Sequence, residues 1–521
     1  MIHPFTIRFH LGLKAIRIPL NLVTVPVLTV LILLAAQCIP IGVVRDGIIG
    51  TNGVKPYNVL ILFFSLAYMA ITLDLTGVLQ AAAFWVSNKG GSSGWRLFSY
   101  FYVLVLLLAV FMGNDPVILS GTAFLVYYTR VTEVSPTAWL FSEFTACNTA
   151  SMVLFVGNPT NVILCEGFGI NYLAYSAYTI VPFLFCSLGG FAALCFQFRS
   201  REHLPRQILS PLLDPKSVLH DPFGAWVGAI MLILALLLII GVSFVGVDVW
   251  EVALPFALSK LLFDFSWDYY RLQKQGSGSL EMQPQSTSET QVGRTASNAT
   301  EVDARRRPPI RIQRRPDDSQ VGRSRVQNTP VSWNGVRSDP NTAWLHYSKF
   351  QQKFPTFTTA LPRLPFALLP FAFAQFTLVE ALAYNNWITV FAHWLEVAVA
   401  ANPIYITVWL VGVLGVALCN ISGTNIGATI LMVKVLKDSK ITDEASLAGA
   451  IALAVASNIG ALGFAFAASL AGLLWRTILA QKQIKIKQRD FARWNILPLL
   501  TMTIIGLSVV SIEMRILYPG H

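Results

Sequence analysis

The chain has 521 residues, of which 54% are hydrophobic and only 12% are charged, and its mean hydropathy is +0.58. This composition excludes an ordinary soluble domain and is typical of a chain that crosses a lipid bilayer many times. The formal net charge of +11 resides mostly in loops, which favours contact with anionic lipids over nucleic-acid binding. The sequence therefore predicts an integral, multi-pass protein of the plasma membrane or an organelle membrane.

The N-terminal residues 1–21 contain Arg8, Lys14 and Arg17, and they are predicted to form a cytoplasmic tail. The apolar run 22–44 is longer than a signal-peptide core, so it predicts an uncleaved first span. The other apolar runs that are long enough to cross about 30 Å of hydrocarbon are 58–86, 97–130, 136–168, 172–197, 222–246, 250–266, 363–395, 401–437, 444–479 and 494–515.

Hydropathy also divides the chain into two similar halves. Residues 22–207 are predicted to form a first transporter repeat, residues 218–266 the connecting spans and the start of the second repeat, and residues 361–516 the second repeat. The intervening residues 267–360 are rich in Gln, Ser, Arg, Pro and Asn. Such a composition buries too little apolar surface to offset ordering entropy, so this segment is predicted to be a disordered cytoplasmic loop.

Two of the apolar runs, 97–130 and 401–437, are interrupted by polar residues and are predicted to be re-entrant helical hairpins. Arg96 and Arg130 then both end at the cytoplasmic face. Nine spans remain, and the two halves have opposite orientations, which is the inverted repeat of a secondary transporter. The exception to the positive-inside trend is a group of lysines that this topology places outside, namely Lys434, Lys437 and Lys440.

The most informative motif is a polar, helix-breaking element that occurs twice inside very apolar sequence. The first copy covers residues 146–151 and 157–161, and the second covers residues 456–461 and 468–472. An unpaired backbone amide in lipid costs several kcal/mol, so an unwound backbone at membrane depth is tolerated only where it lines a protein-enclosed cavity. The sequence therefore predicts an all-α polytopic membrane protein whose two unwound transmembrane helices form a transport site.

These motifs resemble those of the citrate transporter-like ion transporter superfamily, which includes arsenite/antimonite efflux proteins, divalent-anion/sodium symporters and silicon efflux transporters. The resemblance spans both halves and is absent only from the central loop and the N-terminal tail. It is carried by Asn148-Thr149-Ala150 and by Gly157-Asn158-Pro159-Thr160-Asn161-Val162-Ile163. The motifs that look closest to the arsenite-efflux branch are Asp74-Leu75-Thr76-Gly77, Arg96-Leu97-Phe98, Asn114-Asp115 and Leu473-Leu474-Trp475.

The resemblance implies an elevator-type carrier in which solute and coupling ion lie between the hairpin tips and the unwound helices. The tips here read Gly113-Asn114-Asp115 and Cys419-Asn420-Ile421 in place of the Ser-Asn-Thr triplets of dicarboxylate symporters, which argues against sodium-coupled dicarboxylate transport. The second unwound segment has Ser469-Leu470 where the first has Asn-Pro. The two halves are therefore expected to contribute unequally to the site. The residues implied to bind solute are Asn114, Asn148, Thr149, Asn158, Thr160, Asn420, Thr424, Asn425, Asn458 and Ser469.

Acidic residues within the apolar runs are candidates for coupling to a sodium ion or a proton. Asp115 lies at the first hairpin tip, and the alternative role for it is a helix N-cap. Asp74 and Glu380 occupy equivalent places in the two halves, and their alternative role is structural, as interfacial charges near span ends. Glu143 and Glu166 flank the first unwound segment, where a solvated role is expected over a role in gating.

The sequence as a whole predicts a secondary active carrier, and no enzymatic activity is expected. The expected solute is a small anion or metalloid oxyacid of arsenite, silicate or citrate type, coupled to a proton or sodium gradient. No other cofactor is expected, and a homodimer in the bilayer is compatible with the sequence. Two alternatives remain open. One is a sodium/proton antiporter that uses Asp115, Asp74 and Glu380, and the other is a non-transporting membrane sensor that acts through its cytoplasmic loop.

Overall fold

The computed structural model describes residues 6–11, 14–21, 23–51, 53–208, 213–280 and 340–519. The predicted disordered loop falls largely on residues 281–339, which lie outside the described residues. The chain divides into two units by its internal contacts. One comprises residues 1–268 and 354–521 and contains the elements analysed below; the other, residues 269–353, holds the end of one long helix and a second helix.

The N-terminal region differs from its prediction. An antiparallel hairpin, β1 (Thr6–Leu11) and β2 (Lys14–Pro19), lies where a plain tail was expected. The single span predicted over residues 22–44 is wrong, because α1 (Thr24–Ala35) ends before Pro40 and α2 (Ile41–Ile49) begins after it. At about 1.5 Å per residue, neither helix alone crosses the hydrocarbon core.

Helices account for almost all of the remaining described residues. In the first half they are α3 (Pro56–Leu75), α4 (Val78–Gly90), α5 (Gly94–Met112), α6 (Asn114–Val131), α7 (Pro136–Ala150), α8 (Pro159–Phe168) and α9 (Tyr172–Gln197). The connecting helices are α10 (Pro215–Val218), α11 (Pro222–Val242), α12 (Trp250–Leu280), α13 (Pro340–Lys353) and α14 (Pro355–Ala360). In the second half they are α15 (Leu368–Tyr384), α16 (Trp387–Val399), α17 (Pro403–Ile421), α18 (Asn425–Asp438), α19 (Asp443–Ile459), α20 (Leu470–Gln481) and α21 (Gln488–Leu517).

Eight segments of the described residues are long and apolar enough to cross a membrane. The protein is therefore an integral, multi-pass membrane protein, as the composition predicts. By number these segments are 56–75, 94–112, 172–197, 222–242, 355–384, 403–421, 443–462 and 488–517.

Two of the long apolar runs are each divided into two helices by a residue with a positive φ angle. The run 58–86 is divided at Gly77, whose φ is +88° and whose Cα lies so close to the Val218 carbonyl oxygen that a side chain would clash. The run 363–395 is divided at Asn386, whose φ is +61°. Each division produces a helix of 13 residues, α4 in the first half and α16 in the second.

The predicted start of the central loop at residue 267 is also wrong, because α12 continues to Leu280. Its charged residues lower the hydropathy but are paired inside the protein. Lys260 forms a buried ion pair with Asp264, which also accepts a hydrogen bond of 2.9 Å from the Tyr68 hydroxyl. Asp268 accepts from the backbone nitrogen and the hydroxyl of Thr356, at 2.9 and 2.8 Å. The helix therefore does not need apolar side chains to continue.

The two halves pack against each other reciprocally. Helix α2, which precedes α3, packs on α15, whereas α14, which precedes α15, packs on α3. Likewise α8 packs on α18, whereas α20 packs on α6. The last helices of the two halves, α9 and α21, pack on each other. Equivalent elements therefore have equivalent neighbours from the opposite half.

Two of the three lysines that conflict with the positive-inside trend, Lys434 and Lys437, are engaged within the protein. The Lys434 ammonium lies 2.7 Å from Glu380, and both side chains are about nine-tenths buried. The hydroxyl of Thr51 lies 2.6 Å from Glu380 and 2.7 Å from Lys434. Lys437 donates to the Gly167 carbonyl oxygen at 2.6 Å. Since Lys434 is paired with a carboxylate, it is not a free loop charge of the kind that sets topology.

Replacing Lys434 should reveal the importance of this buried pair. Lys434→Met leaves Glu380 buried without its cation, so the free energy of unfolding should fall by about 3–5 kcal/mol. Lys55→Met is the matched control: Lys55 pairs with Asp248 at 2.7 Å, but its side chain is 44% exposed, so a loss below about 1 kcal/mol is expected. Thermal unfolding in detergent measures both. Equal losses, or no recovery when Glu380→Gln is added to Lys434→Met, would contradict the interpretation.

Candidate functional site

The candidate site forms where α7 and α19 lose their helical conformation. Helix α7 ends at Ala150, and a 3₁₀ turn at Phe155–Gly157 separates it from α8. Helix α19 ends at Ile459, and two 3₁₀ turns, Gly460–Leu462 and Phe466–Ala468, separate it from α20. We call these segments the first and second breaks, and both coincide with the polar motifs recognised in the sequence.

One side chain, Asn458, connects the two breaks. Its amide nitrogen donates to the Asn161 side-chain oxygen at 2.8 Å and to the Ala454 carbonyl at 2.9 Å. Its amide oxygen accepts from the Ser151 hydroxyl at 2.7 Å and from the Asn158 amide at 3.3 Å. The side chains of Ser151, Asn158, Asn161 and Asn458, here called the Asn458 cluster, are almost completely buried. A residue of the second half thus satisfies three polar groups of the first.

Further hydrogen bonds extend this cluster. Ser457 donates to the Thr160 hydroxyl at 3.3 Å, and its carbonyl accepts from the Asn425 amide at 3.4 Å. Asn161 also donates to the Ser151 and Leu154 carbonyls, at 2.7 and 2.9 Å, which closes the first break on itself. Ser151, Asn161 and Ser457 were not predicted as site residues. Their position inside or beside the two motifs was the only signal available.

Several predicted solute ligands act as helix N-caps. The side-chain oxygens of Asn158, Thr424 and Ser469 accept hydrogen bonds from backbone N–H groups at the starts of α8, α18 and α20, at 3.2, 3.2 and 3.0 Å. Helix α6 is different, because its N-cap is Gly113, which has no side chain. Asp115 is the second residue of α6, so its alternative role as the N-cap is not realised.

The first hairpin tip and the first break enclose a cavity. Its polar lining consists of Asn114, Asp115 and Asn158, and its apolar walls come from α3, α11 and the 3₁₀ turn. Asp115 has no hydrogen-bond partner among the described residues. The negative charge of Asp115 lies in the first turn of α6, where the helix dipole favours it. A half-buried carboxylate, two amides and an uncapped helix N-terminus therefore share this cavity.

Asn148 occupies in α7 the place that Asn458 occupies in α19. Its amide nitrogen donates to the Phe144 carbonyl at 2.8 Å, one turn back, as that of Asn458 does to Ala454. Its amide oxygen, however, is buried without a hydrogen-bond partner among the described residues. The motif alignment gives the reason: the donors Ser151 and Asn158 correspond to Ala461 and Ser469 in the second break.

Thr149 and Asn420 are also oriented by the protein itself. The Thr149 hydroxyl donates to the Thr145 carbonyl at 2.8 Å. The Asn420 amide nitrogen donates to the Val416 carbonyl at 3.0 Å, and its oxygen accepts from the backbone nitrogen of Phe464 at 2.6 Å. The second hairpin tip is therefore bonded to the second break. The amide nitrogens that already donate to protein oxygens are those of Asn148, Asn158, Asn161, Asn420, Asn425 and Asn458.

The structure does not bring Asp74 and Glu380 to this centre. Asp74 accepts from Ser120 and lies 3.4 Å from Arg363, in a separate polar cavity. Glu380 pairs with Lys434, on another side of the protein core. Each side chain is about nine-tenths buried or more and is bonded to protein groups, as the alternative structural role requires. Their role in ion coupling remains a prediction.

The solvated role expected for the two glutamates that flank the first break is also wrong. Glu143 is 1% exposed. Glu166 accepts from the backbone nitrogen of Lys55 at 3.0 Å and from the Asn58 amide, so it holds the start of α3. Hydropathy gave no signal for either burial, because both contacts join residues far apart in the sequence.

Comparison with known proteins agrees with the resemblance seen in the sequence. Residues 13–268 match the model of the citrate transporter family, CitMHS. An arsenical pump membrane protein of Escherichia coli is 25% identical over 215 residues, which cover 41% of this chain and 50% of that protein. One from Yersinia enterocolitica is 24% identical over 226 residues, which cover 42% and 52%. The chain spans about half the length of the curated relatives it matches.

A solved structure also resembles this chain. It is the crystal structure of the Alcanivorax borkumensis YdaH transporter, which is 12% identical, with a TM-score of 0.45. The match covers 99% of this chain and 94% of that one. At this distance the likeness carries no inference about the site. The family match over residues 13–268 bears out the resemblance to the citrate transporter-like superfamily that the motifs carry.

The two equivalent asparagines should differ in their effect on stability. Asn458→Ala leaves the Asn158 amide nitrogen and the Asn161 side-chain oxygen without a partner among the described residues, at about 1–3 kcal/mol for each unsatisfied buried group. Ser151 keeps its hydrogen bond of 2.8 Å to the Asn148 carbonyl. Asn148→Ala removes a single bond to its own helix, worth about 1 kcal/mol. The melting temperature in detergent should therefore fall clearly for Asn458→Ala and little for Asn148→Ala. Equal melting temperatures would contradict the bridging role of Asn458.

Proposed function

We propose that this chain is a secondary active transporter whose solute binds beside the Asn458 cluster, between the hairpin tips and the two breaks. The observation that carries the proposal is that a single buried amide joins both breaks next to a cavity lined by Asn114, Asp115 and Asn158. Unwound backbone at membrane depth is expected only where it lines such a site. The family match over residues 13–268 supports a transport role.

The free polar atoms support a solute that donates hydrogen bonds. The amide nitrogens of Asn148, Asn158 and Asn458 already donate to protein oxygens. The side-chain oxygens of Asn148 and Asp115, by contrast, have no donor among the described residues. No Lys or Arg lines the cavity at the first tip. A polyanion such as citrate would meet the Asp115 carboxylate there without a counter-charge. An uncharged oxyacid of arsenite or silicate type is therefore favoured, in line with the arsenical pump membrane proteins among the relatives.

The reciprocal packing supports an inverted repeat with two re-entrant hairpins. A two-fold axis in the membrane plane would relate the hairpin α5–α6 to the hairpin α17–α18. The helix that follows the break in each half would then pack against the second hairpin helix of the opposite half. The packing of α8 on α18 and of α20 on α6 has this form. Movement of the hairpins relative to α3 and α15 would then expose the site alternately to the two sides.

Asp115 supports coupling to a proton or a sodium ion. It is the acidic side chain that lines the cavity at the first hairpin tip, and it has no hydrogen-bond partner among the described residues. The same observation favours a second candidate function, a sodium/proton antiporter. The antiporter would move protons against sodium when no oxyacid is present, whereas the proposed carrier would require the solute.

A solute panel in proteoliposomes tests the proposal. With an imposed proton or sodium gradient, uptake of arsenite or silicic acid should exceed that of citrate and sulfate. Asn148→Ala should weaken the apparent affinity by about tenfold to a hundredfold, since it removes a hydrogen-bond acceptor worth about 1.5–3 kcal/mol for a strong contact.

Transport of citrate alone, or normal solute affinity in Asn148→Ala, would place the site elsewhere. Asp115→Asn separates the two candidate functions, because its neutral amide cannot bind a proton or balance a sodium ion. It should flatten the dependence of solute flux on the driving ion in the carrier. Sodium-dependent proton flux without any solute would favour the antiporter.

The inverted repeat predicts that the two hairpins open to opposite sides of the membrane. Ser92 precedes α5, and Ser439 follows α18. In a variant in which the exposed Cys38 is replaced by alanine, Ser439→Cys should react with a membrane-impermeant thiol reagent from outside. Ser92→Cys should react only after permeabilisation. Reaction of both from the same side would rule out the opposite orientation of the halves.

A further inference from the structure

A second acidic side chain, Glu143, is buried between α7 and the second helix of the first hairpin. It is on α7 and faces α6, with 1% of the residue exposed. One carboxyl oxygen, Oε2, accepts a hydrogen bond of 2.9 Å from the Thr122 hydroxyl. The other, Oε1, lies against Gly121, where even a methyl group would collide with it. Oε1 has no hydrogen-bond partner among the described residues.

No cation balances this carboxyl group. In the described part of the chain, no Lys, Arg or His of α5, α6, α9, α19 or α21, the long helices that pack on α7, forms an ion pair with Glu143. Of the other titratable groups on these two helices, Cys147 lies one turn further along α7, and Asp115 lies two turns before Thr122 on α6. A buried, unpaired carboxylate is costly, and a single neutral hydroxyl does not compensate for it.

A bound proton removes this cost. A metal cation would need several oxygen ligands, whereas Oε1 is the one free carboxyl oxygen here. A purely structural carboxyl would be expected to have both oxygens bonded. The Thr122 bond remains possible in the protonated state, because Oε2 still accepts. The geometry therefore favours a neutral carboxylic acid with its proton on Oε1.

The position of Glu143 connects it to the transport site. Asp115 and Thr122 are seven residues apart on α6, so they lie on the same helix face, and Thr122 binds Glu143. Asn148 of the first break follows Glu143 by five residues on α7. A displacement of the first hairpin relative to α7 would separate Thr122 from Glu143 and admit water to the carboxyl group.

We propose that Glu143 is a proton-carrying residue of the transport cycle, in addition to Asp115. The proton is bound at Oε1 in the packed arrangement of α6 and α7, and it passes to water as hydronium when these helices separate, which leaves a hydrated carboxylate. This inference rests on the proposed transport function, because the helix movement is that of the carrier.

Glu143→Gln tests the proposal, since glutamine keeps the shape and the acceptor for Thr122 but cannot release a proton. In proteoliposomes, counterflow of labelled against unlabelled arsenite or silicic acid at equal pH needs no net proton movement and should be retained. Accumulation above the equilibrium solute level, which a proton gradient drives in the wild type, should be lost. The matched control is Glu513→Gln, since Glu513 on α21 also has a buried carboxyl oxygen without a partner; this variant should keep both activities.

Infrared difference spectroscopy on the purified protein gives a readout that does not depend on transport. The wild type should show the carbonyl stretch of protonated carboxyl groups. One component of this band should be absent from Glu143→Gln, and the same component should be present in Glu513→Gln. If Glu143→Gln proves unstable, Thr122→Val should keep the component but shift it. An unchanged spectrum in Glu143→Gln, or proton-driven accumulation with an unchanged pH profile, would overturn the inference. Absence of solute flux in the wild type would instead overturn the proposed function.

Discussion

The arrangement of this protein depends on how unwound backbone is satisfied inside a membrane. Each break removes several residues from helical hydrogen bonding, and lipid offers them no partner. The amide of Asn458 supplies a donor and an acceptor to side chains of the first break, while Asn161 supplies donors to that break's own carbonyls. Because Asn458 belongs to the second half, the halves must pack together for the first break to be satisfied. The reciprocal contacts of α8 with α18 and of α20 with α6 satisfy that requirement.

The two breaks are equivalent in position but differ in chemistry. The first supplies Ser151 and Asn158, which saturate the oxygen of Asn458, whereas the second has Ala461 and Ser469 at the aligned positions. One asparagine is therefore a structural bridge, and the other, Asn148, retains a free acceptor. Under the proposed function, this difference between the two breaks gives the transport site one asymmetric binding surface. The hydrogen-bond-donating solute proposed above follows from that asymmetry.

Much of the architecture could be predicted because it follows from local chemistry. The Gly157-Asn158-Pro159 motif cannot continue a helix, and its position inside apolar sequence indicates a break at membrane depth. Local patterns did not predict the extension of α12, since Asp264 and Asp268 accept hydrogen bonds from Tyr68 and Thr356 of distant segments. The burial of Glu143 was missed for the same reason: no sequence window contains its neighbour Thr122 together with the packing of α6 on α7.

A double-mutant cycle between Ser151→Ala and Asn458→Ala tests most directly whether one amide joins the two breaks. The free energy of unfolding in a mild detergent would be measured for the wild type, both single variants and the double variant. A direct hydrogen bond between the two side chains should give a coupling energy of about 1 kcal/mol or more. Effects that add to within about 0.5 kcal/mol would show that the two residues act independently, which would contradict the account of the site.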